Sequence, residues 1–349
     1  MKKNLLKILT LTLAILMLVP MIVSCNKTPT NTETPTDTDG NIVAVPDKDL
    51  EIKIYALNGT TALGMAKMIS DKTNGKSDMN YNISLHTAAD AITGAIVSGE
   101  CNIAALPTNV AVKLFNKTEG KVQLLALNTL GVLYLLQGEG QNITSLADLR
   151  GKTVYLPGAG SNPEYITAAL LEGAGLKVGT DVTLDTTTYN SPDALQAAVV
   201  AGKAALAVLP EPKVTVTTSG NQSVKVALNL TEEWEKINGK NTLVQGCLVV
   251  NTAFAEAHPV EVAKFLADYE ASVNFIKGGT EEAINMIVDA KILPKAAIAQ
   301  KALPNCNICY IAGNDMKSVM NTFCEKIFAY DKTSIGGALP TDAFYYVAK

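Results

Sequence analysis

Asp90-Ala91-Ile92-Thr93-Gly94-Ala95-Ile96-Val97-Ser98-Gly99-Glu100-Cys101-Asn102-Ile103-Ala104-Ala105-Leu106-Pro107 returns later in the chain as Asp193-Ala194-Leu195-Gln196-Ala197-Ala198-Val199-Val200-Ala201-Gly202-Lys203-Ala204-Ala205-Leu206-Ala207-Val208-Leu209-Pro210. A gapless shift of 103 residues superimposes the two with eight of 18 positions identical, Gly99 falling on Gly202 and Leu106-Pro107 on Leu209-Pro210. In each copy a helical period closes at the glycine, which tolerates left-handed backbone. A short apolar strand follows and ends at the proline, a residue suited to the first turn of a following helix. A further pair, Ala126-Leu127-Asn128 and Ala227-Leu228-Asn229, recurs at an offset of 101.

The same alternation extends outward from both copies. Residues 51–57, 82–86, 102–106 and 122–127 are short and β-compatible, with helical periods at 61–69 and 88–97. The second region repeats this, with strands at 152–156, 182–186, 205–209 and 224–228 and helices at 163–171 and 192–201. Strands alternating with helices predict parallel-rich α/β sheets. Two apolar runs, 131–136 and 246–250, flank the second region and read as crossover strands forming a hinge. After Asn251 the periods at 259–277, 280–290, 294–303 and 316–329 are helical and are expected to pack on the first lobe.

Ligands of open α/β sheets bind beyond the carboxyl ends of the strands, beside helix starts whose amides are free. That places Asn58, Gly59, Thr60 and Thr61 in one lobe, with Thr108 and Asn109 behind the repeated Leu-Pro. The second lobe offers the small-residue turn Gly158-Ala159-Gly160-Ser161-Asn162, and Glu211 behind its own Leu-Pro. His86 and Tyr189 are equivalent under the 103-residue shift, and Asn128 is a further cleft candidate. Glu211 is the only acid of this set and suits an amine or ring N–H.

Composition narrows the ligand. The chain has 349 residues, 48% hydrophobic and 18% charged, enough to bury a core and too long for a single one. Beyond residue 24 there are 26 basic against 33 acidic side chains, a net charge of −7, which gives phosphate backbones nothing to approach. Aromatic residues make up 5%, so stacking platforms for bases or sugars are scarce. Arg150 is the one arginine, so bidentate gripping of a carboxylate or phosphate is all but excluded. The glycine turn has neither P-loop nor dinucleotide spacing, and no cofactor is expected.

Nucleophilic catalysis needs a base and an orienting partner beside the nucleophile, and no such set is visible, so no catalytic residue is assigned. With only His86 and His258, a metal site is not expected. Cys306-Asn307-Ile308-Cys309 has CxxC spacing but no second CxxC to complete a metal site, and its disulfide state stays open. Cys101 and Cys247 read as buried thiols in strands.

The front end is a basic start, Lys2-Lys3, an apolar run over 5–20, and Ile22-Val23-Ser24-Cys25. This describes a secretory signal over 1–24, and its last four residues resemble the bacterial lipobox. By that resemblance Cys25 is lipidated and anchors the protein to the extracytoplasmic face of the cell membrane. Residues 26–49 are Thr, Asn, Pro and Asp with few apolar side chains, a flexible tether.

With the lipobox, Thr60-Thr61, Ile103 to Asn109, the phrase Leu146-Ala147-Asp148-Leu149-Arg150-Gly151-Lys152-Thr153-Val154 and Pro192 to Pro210, the chain resembles ABC-transporter substrate-binding lipoproteins of the type 2 periplasmic-binding superfamily. It is most similar to the nitrate/sulfonate/taurine and thiamine-pyrimidine-precursor binders. The resemblance implies a two-lobed α/β fold, each lobe a mostly parallel sheet flanked by helices and joined by two crossovers. Lobe one comprises 50–133 and 246–349, and lobe two 134–245. It implies capture of a small polar ligand, nitrate/sulfonate-like or pyrimidine-like, by a monomer that delivers it to an ABC permease and its ATPase, with no nucleic acid involved. It also places Arg150 outside the cleft. Enzymes of the same fold, a pyrimidine-precursor synthase or a menaquinone-pathway dehydratase, and a lipoprotein ligand sensor are the alternatives the resemblance carries.

Overall fold

The computed structural model describes residues 44–348; the signal segment, Cys25 and the tether up to residue 43 lie outside the described residues. The chain begins β1 (Ile52–Leu57), α1 (Thr60–Leu63), α2 (Ala66–Thr73), β2 (Tyr81–His86), α3 (Ala89–Ser98), β3 (Ile103–Pro107), α4 (Thr108–Lys117) and β4 (Val122–Leu130). It continues β5 (Leu133–Gln137), β6 (Thr153–Tyr155), α5 (Asn162–Gly173), β7 (Thr183–Asp185), α6 (Pro192–Val200), β8 (Leu206–Pro210), α7 (Lys213–Gly220), β9 (Lys225–Asn229) and α8 (Leu230–Asn238). It closes with β10 (Val244–Asn251), α9 (Thr252–Ala257), α10 (Pro259–Lys277), α11 (Glu281–Asp289), α12 (Ala296–Ala302), β11 (Ile308–Ile311) and α13 (Gly313–Tyr330).

Two sheets result, with strand orders β2-β1-β3-β10-β4-β11 and β7-β6-β8-β5-β9. Apart from β11 they share one topology: β1, β2, β3 and β4 take the places of β6, β7, β8 and β9. Within each sheet one strand is contributed by the chain arriving from the other. β10 runs antiparallel to β3 and β4, and β5 antiparallel to β8 and β9. The two runs read as crossovers are therefore interior strands, and the crossing itself is made by the short segments before them. The repeated phrase keeps its meaning in both copies: Gly99 (φ 82°) and Gly202 (φ 71°) follow helices in left-handed backbone, and Pro107 and Pro210 end strands.

Three expectations shift. The single helix over 61–69 is broken into α1 and α2 at Gly64, whose carbonyl accepts from the Ser272 hydroxyl at 2.6 Å instead of continuing a helical ladder. A Cβ at Gly64 would collide with the Tyr269 ring and approach Val273 Cγ2 to 2.8 Å, so the bare backbone is what lets α10 approach. Strand β11 lies inside the CxxC region, too short to show a period, with Cys306 ahead of it and Cys309 within it. Third, α13 does not pack on the first sheet alone. Its Phe323 ring lies 5.9 Å from Trp234 of α8, and one apolar cluster joins Met316, Met320 and Phe323 to Leu106 and Val249 of the first sheet and to Val154, Ile166 and Val208 of the second region.

Separate apolar clusters cover the remaining faces. Helices α1, α2, α10 and α11 bury Ile52, Ile54, Leu248 and Val250, while α6 and α7 bury Leu136, Ala207 and Leu209. The ordered chain also reaches ahead of Leu50, because the Asp47 amide donates to Glu261 Oε1 at 2.9 Å. All five described cysteines are free and buried. Cys247 sits in β10, but Cys101 lies just ahead of β3 instead of within a strand. Burial pushes the thiols of Cys101 and Cys309 up to about 12, so neither is a ready nucleophile.

At the mouth of the first crossing the backbone is packed tightly enough to forbid a methyl group. A Cβ on Gly246 would lie 2.5 Å from Asn128 Oδ1, 2.7 Å from Thr61 Cγ2 and 2.8 Å from Thr129 Oγ1. Gly246→Ala is expected to cost roughly 1–3 kcal/mol in urea unfolding. Gly94→Ala, inside α3 with nothing within 4 Å of the added carbon, should instead gain about 0.5–1 kcal/mol. Equal effects of the two would show that the crowding at Gly246 relaxes without cost.

Candidate functional site

The carboxyl ends of the parallel strands carry nearly all the nominated residues. Asn58, Gly59, Thr60 and Thr61 follow β1, His86 ends β2, and Thr108 and Asn109 open α4 after β3. In the second sheet Gly158, Ala159, Gly160 and Ser161 lie between β6 and α5, Asn162 opens α5, and Glu211 follows β8. Strands β4 and β9 end, and β5 and β10 begin, at the same edges, so the crossings and the candidate site share one end of each sheet.

Hydrogen bonds tie the two sets together. Asn109 Nδ2 donates to the Gly160 carbonyl at 3.2 Å. Asn162 Nδ2 donates to Thr108 Oγ1 at 3.1 Å and to the Gln245 carbonyl at 3.3 Å, while Thr108 Oγ1 donates to the Val244 carbonyl at 2.8 Å. The Gln245 side chain accepts the Val132 amide at 2.6 Å, linking the two crossings directly. Thr108 and Asn109 are fully buried and Asn162 is 5% exposed. The side-chain oxygens of Asn109 and Asn162 are buried and have no hydrogen-bond partner.

Several candidates are engaged by the protein itself. Asn128 Nδ2 donates to the Thr61 carbonyl at 3.1 Å and its Oδ1 accepts Thr129 Oγ1 at 3.0 Å. Thr61 Oγ1 donates to the Leu57 carbonyl at 2.5 Å, and Ser161 Oγ to the Gly158 carbonyl at 2.8 Å. The Gly160 amide at the start of α5 donates to Glu164 Oε2 at 2.5 Å, so a carboxylate of the chain already occupies the anion-seeking amide of that turn. Gly158 (φ 102°) and Gly160 (φ 70°) give the turn its left-handed backbone.

Other candidates stand apart from this cluster. His86 packs against Tyr55 with the rings tilted and 4.4 Å between centroids, its carbonyl accepts the Asn58 amide at 2.7 Å, and its buried Nε2 has no partner. Tyr189 lies four residues past β7, because that strand stops early, and its ring packs edge-on against Tyr155 at 5.3 Å. Asn58 and Ala159 are exposed, and Thr60 is half-buried. Arg150 pairs with Asp181 on the surface, away from this set.

Glu211 is 3% exposed and holds the first turn of α7, its Oε1 accepting Thr215 Oγ1 at 2.9 Å and its Oε2 the Thr215 amide at 3.1 Å. Asn305, in the segment between α12 and β11, lies close enough to oppose the rise that burial gives this carboxyl. Its oxygens thus serve the helix start. Sequence reasoning missed Gln245, Asn305 and Gly246. Gln245 lies inside a continuous apolar run, and a polar residue interrupting such a run is the one signal that marks it.

A family model described as "ABC transporter, phosphonate, periplasmic substrate-binding protein" matches residues 63–279. No curated protein matches the sequence. Among solved structures, an ABC transporter protein from Parabacteroides distasonis is similar over 86% of this chain and 100% of its own, at 22% identity and a TM-score of 0.72. The periplasmic aliphatic sulphonate binding protein SsuA of Escherichia coli matches over 86% and 92% respectively, at 15% identity and a TM-score of 0.68. The alkanesulfonate-binding SsuA of Xanthomonas axonopodis pv. citri, bound to MOPS, covers 82% of this chain and 94% of its own, at 15% identity and a TM-score of 0.63. At these identities the likeness speaks for the fold.

Burial raises the Glu211 carboxyl above its ordinary value of 4.5, against the opposing pull of the Thr215 and Asn305 donors. The folded protein therefore keeps this proton to higher pH than the unfolded chain, and stability falls as pH rises from 4.5 through the folded value. Glu211→Gln removes that contribution. Urea melts between about pH 4 and pH 7 should show the stability of the parent minus that of the variant declining as pH rises. A pH-independent difference would remove Glu211 as a buried acid.

Proposed function

This chain belongs to the family of periplasmic substrate-binding proteins of phosphonate-type ABC transporters, and from that membership we propose that it captures a small polar solute between its two sheets. The observation that carries the proposal is the meeting of Thr108 and Asn109 with Gly160 and Asn162 across the two strand edges. Buried polar groups gathered at opposed sheet edges are the usual means by which a cleft orients a small ligand. Residues 50–133 with 246–349 act as one lobe and 134–245 as the other. The present arrangement is the closed one, and opening separates Asn109 from Gly160 and Asn162 from Thr108. Thr60, His86 and Tyr189, whose side chains the cluster does not engage, contact the ligand from the rims. Thr61, Asn128, Ser161 and Glu211 act mainly by holding the backbone that surrounds it.

Capture is followed by presentation of the closed form to a membrane permease driven by its ATPase. The protein does this as a monomer tethered by lipid on Cys25, with the segment up to about residue 46 as the tether. The family and the structural neighbours are substrate-binding transport proteins, and the buried thiols at Cys101 and Cys309 leave no evident nucleophile there.

Two measurements test this reading. The mature protein should gain thermal stability with one class of small solute and return that solute chemically unchanged, as followed by NMR; turnover would replace capture with catalysis. In the native cell, the parent protein should partition with the membrane and detergent phases, and Cys25→Ala should move it to the aqueous phase. A parent protein that is aqueous from the start would remove the anchor.

A further inference from the structure

The two unpartnered amide oxygens constrain the chemistry of the ligand. Each amide is fixed in orientation by what its nitrogen meets. Asn109 Nδ2 faces the Gly160 carbonyl, and Asn162 Nδ2 faces the Gln245 carbonyl and Thr108 Oγ1. Thr108 has its own proton on the Val244 carbonyl and can only accept from Asn162. Turning either amide over would set oxygen against oxygen. Asn109 Oδ1 and Asn162 Oδ1 are therefore true acceptors, buried, one from each side of the junction and both without a donor. A buried acceptor left unpaired is costly, and two at one junction call for a partner that brings donors.

The surrounding charge has the same sign. None of the candidate cleft residues is lysine or arginine. Arg150 is paired with Asp181, and the Lys113 ammonium lies over the Tyr165 ring at 5.3 Å from its centroid. The Gly160 amide, where an oxyanion would seek a helix start, is held by the Glu164 carboxylate. A fully ionised phosphonate or a sulfonate offers only acceptors, and at these two amide oxygens would meet acceptors with no lysine or arginine of the candidate set to compensate.

Resting on the capture reading above, we propose that the ligand's buried end is a cationic nitrogen group with at least two N–H donors, of the amidinium or guanidinium class, held between Asn109 Oδ1 and Asn162 Oδ1. A planar pair of N–H groups supplies one donor to each oxygen and places positive charge where the site has none.

The test uses the mature protein, freed of co-purified solute by unfolding and refolding, and millimolar benzamidinium, methylguanidinium, methylphosphonate and ethanesulfonate in thermal-shift and calorimetric titrations. The expected result is stabilisation and measurable heat with benzamidinium or methylguanidinium and none with the two anions. Asn109→Ala and Asn162→Ala should each weaken that binding by roughly tenfold, a charge-assisted hydrogen bond lost. Far-UV circular dichroism and urea midpoints confirm that the variants fold, and the comparison of probes on the parent protein stands even if they do not. Binding of either anion with the cations silent overturns the inference, as does cation binding that both substitutions leave unchanged. Silence from all four probes overturns it too. Mass spectrometry of the solute released at the unfolding step then separates the two readings: a released anion or acceptor-only solute refutes the ligand class and keeps capture. No released solute, together with no stabilisation by a broad solute panel, removes capture itself.

Discussion

The arrangement of this protein turns on one side-chain amide. Asn162 stands at the first residue of α5, and its nitrogen reaches across to Thr108 Oγ1 and to the carbonyl of Gln245. Thr108 is in turn fixed to Val244, and Gln245 holds the Val132 amide. A single buried donor thus joins the helix start of one sheet, the helix start of the other and both crossings. Leaving a buried polar group unpaired is costly, so each bond in this chain restricts where its members can sit. The consequence is that hydrogen-bond geometry, which is directional, constrains the relative position of the two strand edges in a way that apolar contact, which is not, does not by itself.

Apolar contact spans the same junction. Helix α13 lies in one cluster with residues of both sheets, its Phe323 beside Trp234. If the edges separate, this packing must either slide or hold while the crossings bend. Dense interiors resist continuous deformation, so bending is concentrated where the chain is thin and free of bulky side chains. Gly131 lies in the first crossing and Gly246 in β10 just after the second, and both are crowded: a Cβ on Gly131 would strike the Thr231 side chain and come within 2.8 Å of Leu243 Cδ2. The crossings are therefore narrow without being loose, which suits a motion between two defined arrangements better than a freely swinging joint.

How much of this can be read from the sequence follows from what is local. The repeat from Asp90 to Pro107 and Asp193 to Pro210 announces two equivalent units because helix closure at glycine and strand termination at proline are local acts. The shared topology of the two sheets bears that reading out. The interior placement of β5 and β10 was not legible, since an apolar run looks alike wherever it pairs. Nor was the use of Glu211, whose partner Thr215 lies one helical turn on. A lone acid behind a Leu-Pro invites a role toward a ligand, while its surroundings give it one toward a helix start. Asn128 and Ser161 carry the same lesson: hydroxyl and amide side chains at strand ends are the first groups the backbone itself recruits.

That recruitment has a consequence for specificity. When a protein's own carbonyls accept the side-chain donors at a strand edge, those donors cease to be available, and the side-chain oxygens that remain are the complement. The edge here began with the composition expected of an acceptor-binding site, rich in threonine, asparagine and helix-start amides. Folding engages most of its side-chain donors within the chain itself. Thr61, Thr108 and Ser161 donate to backbone carbonyls, Gly160 donates to Glu164, and the amide nitrogens of Asn109, Asn128 and Asn162 donate to carbonyls. The residue types at a site therefore bound its chemistry only loosely, and the direction of each hydrogen bond decides what it can hold.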